Sequence, residues 1–203
     1  MNLAIWALAA LPLAAPPKLL INAQLDARSA AGGLEREFRA LVAAQPQASW
    51  IAYAVPVLLE GHLGCDYVSP DGRAAPGVVH LEPSDQAVLL FRVESGAVSR
   101  IRVLSSYCEI DAAGAPLHWL DDVRPAESVT LLQSFASTMQ SAKGLRSSAI
   151  AALSVSSDPA ALEFLIGLAR KDPDSHVRSQ CVSVLTQSRD PRATAFLEDL
   201  LRH

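Results

Sequence analysis

A degenerate repeat near the C-terminus constrains this chain most. Residues 146–170 read RSSAIAALSVSSDPAALEFLIGLAR, and residues 178–202 read RSQCVSVLTQSRDPRATAFLEDLLR. A shift of 32 (178 − 146) superposes Arg146 on Arg178, Leu153 on Leu185, Asp158-Pro159 on Asp190-Pro191, Phe164-Leu165 on Phe196-Leu197 and Leu168 on Leu200. A repeated pair of amphipathic helices at this period specifies an α-solenoid, in which each repeat contacts only its neighbours. One pair cannot bury its own apolar face, and two repeats fall below the usual minimum of three. Residues 125–140 supply a further half-repeat. There Pro125 occupies a permitted first-turn position, and Val129, Leu132, Ala136 and Met139 form a helical stripe.

Upstream of residue 122 the period changes. Residues 29–45 read as a helix with Leu34, Phe38, Leu41 and Val42 on one face, punctuated by Gly32-Gly33 and Pro46. Residues 49–59, SWIAYAVPVLL, suit a strand, with Pro56 pointing to an edge or a bulge. Residues 61–77 read as loop, 78–82 as a short strand, and 107–116 as a turn. The runs 87–94 and 97–105, separated by Ser95-Gly96, read as an antiparallel hairpin. Leu89, Phe91 and Val93 share one face with Ile101 and Val103, and Arg92, Arg100 and Arg102 point outward. A strict two-residue loop would instead set Phe91 opposite Arg100. The expected fold class is α+β, with a small α+β domain at 18–121 followed by a short helical solenoid at 122–203.

The chain has 203 residues, half of them hydrophobic, and a net charge of −4. Nucleic acid is not an expected partner, because the balance offers no basic stripe. Residues 1–17 are expected to be a signal peptide. MNLAIWALAALPLAA is an apolar stretch too short to span a bilayer comfortably, and it ends in small residues, though it lacks a basic start. A buried apolar helix and an uncleaved anchor are the alternatives. Cleavage would leave no stable membrane insertion and a secreted or periplasmic protein. In that compartment Cys65 and Cys108, each beside a β-like run and turn residues, are expected to pair. Cys181 replaces Ala149 in the repeat and reads as a small buried hydrophobe.

The second repeat opens DPDSHVR, Asp172 to Arg178, followed by Cys181, Val184 and Leu185. This resembles a HEAT repeat, in which the first helix follows an Asp-Pro-Asp-like turn and carries a Val-Arg pair. Asp174, Val177 and Arg178 match those positions. The first repeat keeps Arg146 but has Gly144-Leu145 in place of the Asp-led turn. The whole chain also resembles bacterial exported proteins that contain HEAT repeats. That likeness is carried by RSAAGGL from Arg28, YAVP from Tyr53, CEID from Cys108 and PAESV from Pro125. It implies no activity.

No reactive constellation stands out. None of His62, His80, His118, His176 and His203 has a second histidine at i+3 or i+4, so no zinc-binding helix and no metal site are expected. Asp66 to Gly72 lacks the alternating oxygens of a calcium loop and reads as a turn. No phosphate-binding loop, dinucleotide fingerprint or nucleophile elbow occurs, so no cofactor and no catalytic residues are assigned. His118 reads as a surface loop residue. Asp158-Pro159 and Asp190-Pro191 read as helix caps, and Arg146 and Arg178 as partners of helix ends or of acids between repeats. The expected function is an exported protein-interaction or scaffold module binding a protein partner. Glu163, Ile166, Arg170 and Leu201 are the candidate contacts, as helix positions outside the presumed core. The last helix presents Phe196, Leu197, Leu200 and Leu201, with Leu201 the candidate outward member; the alternative is that all four pack back on residues 175–187. An accessory subunit or enzyme of the cell envelope, with a site between the two domains, is the alternative reading. A structural envelope protein is a third.

Overall fold

A computed structural model describes residues 20–57, 63, 65, 85–138 and 143–202. The expected signal peptide, most of the 61–77 loop and the short strand at 78–82 lie outside the described residues. So do Met139, His62, His80 and His203.

The N-terminal half is built on a sheet. Strands β1 (Leu20–Ile21) and β2 (Gln24–Ser29) lead into helix α1 (Leu34–Ala44). They are followed by β3 (Ser49–Pro56), β4 (Gln86–Glu94), β5 (Ala97–Ser105), β6 (Ile110–Asp111) and β7 (Pro116–Asp121). The main sheet has the order β2-β7-β3-β4-β5, with β7 parallel to both β2 and β3 and the rest antiparallel. β1 and β6 form a short parallel pair beside it. Two of these strands depart from expectation. Residues 24–29 form an edge strand ahead of the helix, and His118 lies in β7 rather than in a surface loop.

The hairpin turn carries its signature at Ser95 and Gly96, whose φ values of 52° and 71° fit the tight turn that matches strand twist. Glu94 faces Ala97 and Val93 faces Val98, so the loop is the strict two-residue one. A β-bulge then absorbs Ser99, and Arg92 faces Arg100 while Phe91 faces Ile101. Ile101 thereby joins Leu89, Phe91 and Val93 in the core. Pro56 ends a strand that is central, not an edge. Val57 N–H donates to Asp85 O, so by alternation the Pro56 nitrogen faces the other side, where β7 pairs only as far as Ala52.

After Asp121 the chain turns helical. The helices are α2 (Pro125–Ser137), α3 (Lys143–Ser154), α4 (Pro159–Lys171), α5 (Ser175–Leu185) and α6 (Pro191–Arg202). The architecture is mixed α+β, and its breaks fall at the Asp-led turns read from the sequence. Asp158 Oδ1 accepts from Ala160 N–H, Asp174 Oδ1 from His176 N–H and Asp190 Oδ1 from Arg192 N–H, so each carboxylate caps a helix start.

The core does not divide where the strands stop. One apolar cluster runs from Leu34, Phe38 and Leu41 through Ile51, Tyr53 and Phe91 to Leu132, Ile150, Leu165 and Phe196. At its centre the Phe38 and Phe91 rings meet edge-on at 4.8 Å, and Phe135 of α2 lies 6.0 Å from Phe91. Tyr53 stacks on Phe91, and its hydroxyl and that of Ser128 on α2 hydrogen-bond at 3.0 Å. Burial pushes the Tyr53 phenol well above its ordinary pKa. Two further contacts tie β3 to the helices: Ser157 Oγ donates to Pro56 O at 3.1 Å, and Val57 bridges Ser156. A smaller cluster of Ala52, Val88, Leu90, Leu117, Trp119 and Ile110 covers the opposite face of the sheet.

Cys65 and Cys108 form a disulfide, with Cα atoms 5.3 Å apart. Closing its 43-residue separation gives about 4 kcal/mol as an upper estimate in the chain-entropy description. Cys181 is free and fully buried.

Candidate interaction surface

The two repeat arginines hold the helical stack together. Arg146 donates from Nε to Ala136 O at 2.6 Å, near the end of α2, and its Nη2 clasps Asp172 Oδ2. Asp172 also accepts Asp174 N–H on Oδ1 at 3.0 Å. Arg178 donates to Asp172 O at 2.7 Å and to Pro173 O at 3.2 Å, covering carbonyls at the end of α4. A guanidinium suits this position, because it stays charged and presents several donors in one plane. Both arginines serve helix ends, as their place in the repeat implies.

The four candidate contacts separate on burial. Ile166 is 8% exposed and belongs to the core, which corrects its assignment to the outer surface. The reason is that α4 touches α2, α3, α5 and α6, so its apolar face wraps further round the helix than one partner would require. Glu163 is exposed and pairs with Arg192 of α6 at 2.8 Å, while Arg192 also holds Asp190 at 2.7 Å. That contact depresses the Asp190 carboxyl to about 2. Arg170 is exposed and lies 5.2 Å over the Phe196 ring. Leu201 is 88% exposed and Leu200 47%, whereas Phe196 is buried and Leu197 half-buried. The last helix therefore packs with Phe196 and presents Leu200 and Leu201 outward.

A shallow groove of about 570 Å3 is lined by Gln133 of α2 and by Ala160, Phe164, Gly167, Leu168 and the candidate contact Glu163 of α4. Its floor is open because small residues form it: a Cβ placed at Gly167 would meet no atom within 4 Å. A tighter cavity of about 160 Å3 lies between the turns, with Ser156, Ser157, Asp158, Ser188, Asp190 and Arg192 on its wall.

Of the two described histidines, His176 is exposed and His118 is buried inside the fold. Its Nδ1 lies 3.0 Å from Asp26 Oδ2, and this contact, with Arg28 beside it, lowers the Asp26 pKa. Nε2 of His118 and Oγ of Ser49 are buried without a hydrogen-bond partner among the described residues. Among the described residues the space between the sheet and α2 is filled by packed aromatic side chains. No group of three or more His, Cys, Asp or Glu there is placed to hold a metal ion. No described helix is long and apolar enough to cross a membrane. On the hairpin, Arg92 pairs with Glu94 at 3.2 Å and lies over the Trp50 ring.

Sequence reasoning singled out Leu201, which the fold leaves exposed, but gave no sign of the groove. The groove depends on which face of α4 meets α2, and Ala160 and Gly167 carry no binding signal of their own. Residues 117–203 match the family profile for HEAT repeats, so the C-terminal region has HEAT-repeat content. HEAT repeats generally mediate protein–protein interaction through extended helical surfaces. The chain matches no curated protein and no solved structure.

Proposed function

We propose that this protein is an exported, non-catalytic interaction module. In this reading α2 to α6 form a short α-solenoid that docks a protein partner on the α4–α6 side. The match of residues 117–203 to HEAT repeats carries the reading. The apolar groove floored by Gly167 and the outward Leu200 and Leu201 give it a surface of suitable chemistry. Export rests on the apolar N-terminal stretch and is supported by the Cys65–Cys108 disulfide, which suits an oxidising compartment. A bacterial cell envelope is the setting this implies.

Pull-down from periplasmic extract, with Leu201→Glu and Gly167→Glu as paired controls, tests the reading. Neither change disturbs a packed side chain, because Leu201 faces solvent and Gly167 faces open space. A stoichiometric partner captured by the wild type and lost with either variant is the expected result. A partner retained by both variants would remove this surface from consideration. Recovery of the tagged protein solely from the cytosol would overturn export.

A further inference from the structure

The sheet has one edge that no described residue covers. β5, at one side, lies against α3. β2, at the other, pairs only with β7, and every residue in it except Asp26 is exposed. Gln24 N–H donates to Ala115 O and Ala30 N–H to Asp121 O, so the even-numbered backbone groups face β7. By strand alternation the N–H and C=O groups of Leu25, Ala27 and Ser29 point outward. The strand holds no proline and no bulge, two of the devices that blunt such an edge, and of its two charged side chains Asp26 is held by Arg28 and His118. Leu25 is 47% exposed on it.

The side chains also carry a symmetry. Asp26 and Arg28 lie on one face of β2 and pair with each other at 2.8 Å. They flank Ala27 on either side. If a second copy of β2 runs antiparallel with Ala27 opposite Ala27, Asp26 falls opposite the other copy's Arg28, and Arg28 opposite its Asp26. In the same register the outward groups of Leu25, Ala27 and Ser29 form the hydrogen-bonded pairs. Asp26 and Arg28 then occupy the non-hydrogen-bonded sites, where facing side chains approach most closely.

We propose that β2 is a homodimerisation edge, with two copies pairing antiparallel about Ala27 into one continuous sheet. The charge pattern selects the register, because shifting it by two residues sets Arg28 opposite Arg28 or Asp26 opposite Asp26. A six-residue strand is a small interface, so dissociation falls in the ~1–100 μM range typical of weak contacts. This inference does not depend on the partner-docking surface of α4 and α6.

Sedimentation velocity of the full chain over that concentration range tests it. Ala27→Pro removes only an outward N–H, so the intramolecular ladder keeps its bonds, while the central intermolecular pair is lost. The wild type should dimerise, Ala27→Pro should be monomeric with an unchanged circular-dichroism spectrum, and Leu201→Glu should dimerise like the wild type. Should Ala27→Pro lose structure, a charge-swap pair decides. Arg28→Asp alone and Asp26→Arg alone each set like charges across the axis and should be monomeric. An equimolar mixture restores both opposite-charge pairs and should dimerise. A wild type that stays monomeric throughout, a dimer unaffected by Ala27→Pro, or charge variants that dimerise alone would each overturn the proposal.

Discussion

Asp172, at the end of α4, is clasped by the guanidinium of Arg146 on α3, and both residues are buried. Neither charge has water to fall back on. Removing one partner strands the other, which typically costs about 3–5 kcal/mol. Asp172→Ala should therefore lower the urea midpoint strongly. Glu163→Ala breaks the exposed pair with Arg192 and should cost less than about 1 kcal/mol. Similar losses for the two variants would refute the stabilising role assigned to Arg146 and Asp172.

Leu165 and Leu197 are equivalent in the repeat but not in burial. Leu165 is buried and Leu197 half-buried, because Phe196 takes the inward position on α6. Leu165→Ala should cost roughly 2–5 kcal/mol, the range for a buried leucine, and Leu197→Ala clearly less. Equal, negligible changes in denaturant unfolding would rule out stacked helix pairs.

The cysteines should differ in reactivity. Non-reducing mass spectrometry of the protein should show a Cys65–Cys108 linked peptide. Cys181 should resist a thiol reagent in the native state and react on unfolding, since burial pushes its thiol up to about 11. Three reactive thiols in the native protein would contradict both statements.

Asp190 should titrate at about 2, held down chiefly by its hydrogen bonds from Arg192. The sign follows from the depressed value. Its contribution to stability is full above the ordinary carboxyl pKa of about 3.9 and is lost as the pH falls through the folded value. In Arg192→Ala the Asp190 carboxyl should move back toward the ordinary range, read by carboxyl-carbon NMR titration.

The helical part was legible because its signals are local. Asp158-Pro159 and Asp190-Pro191 mark helix starts within a few residues, and the apolar spacing of Leu153, Leu165 and Leu185 is read inside one helix each. β2 and β7 were not legible. In β2, QLDARS is exposed on both faces and has no apolar alternation. In β7, Leu117 to Leu120 are buried on both faces, so the period-two pattern vanishes. The hairpin register needed the bulge at Ser99, which no residue type announces. Of the candidate contacts, Leu201 lies outward as expected. Ile166 does not, because the number of helices touching α4 is a property of the assembled fold.

The pairing of β2 with β7 also sets an order in time. Gln24 meets Pro116 and Ser29 meets Asp121, across most of the first half of the chain. Contacts so far apart in sequence form slowly, because loop closure must precede the gain. During synthesis β2 has no strand to join until β7 has left the ribosome. β2 thus stays unpaired with β7 while the 92 residues that separate the paired positions (116 − 24) are added, so the last strand of the sheet to be made is the one that joins its two halves.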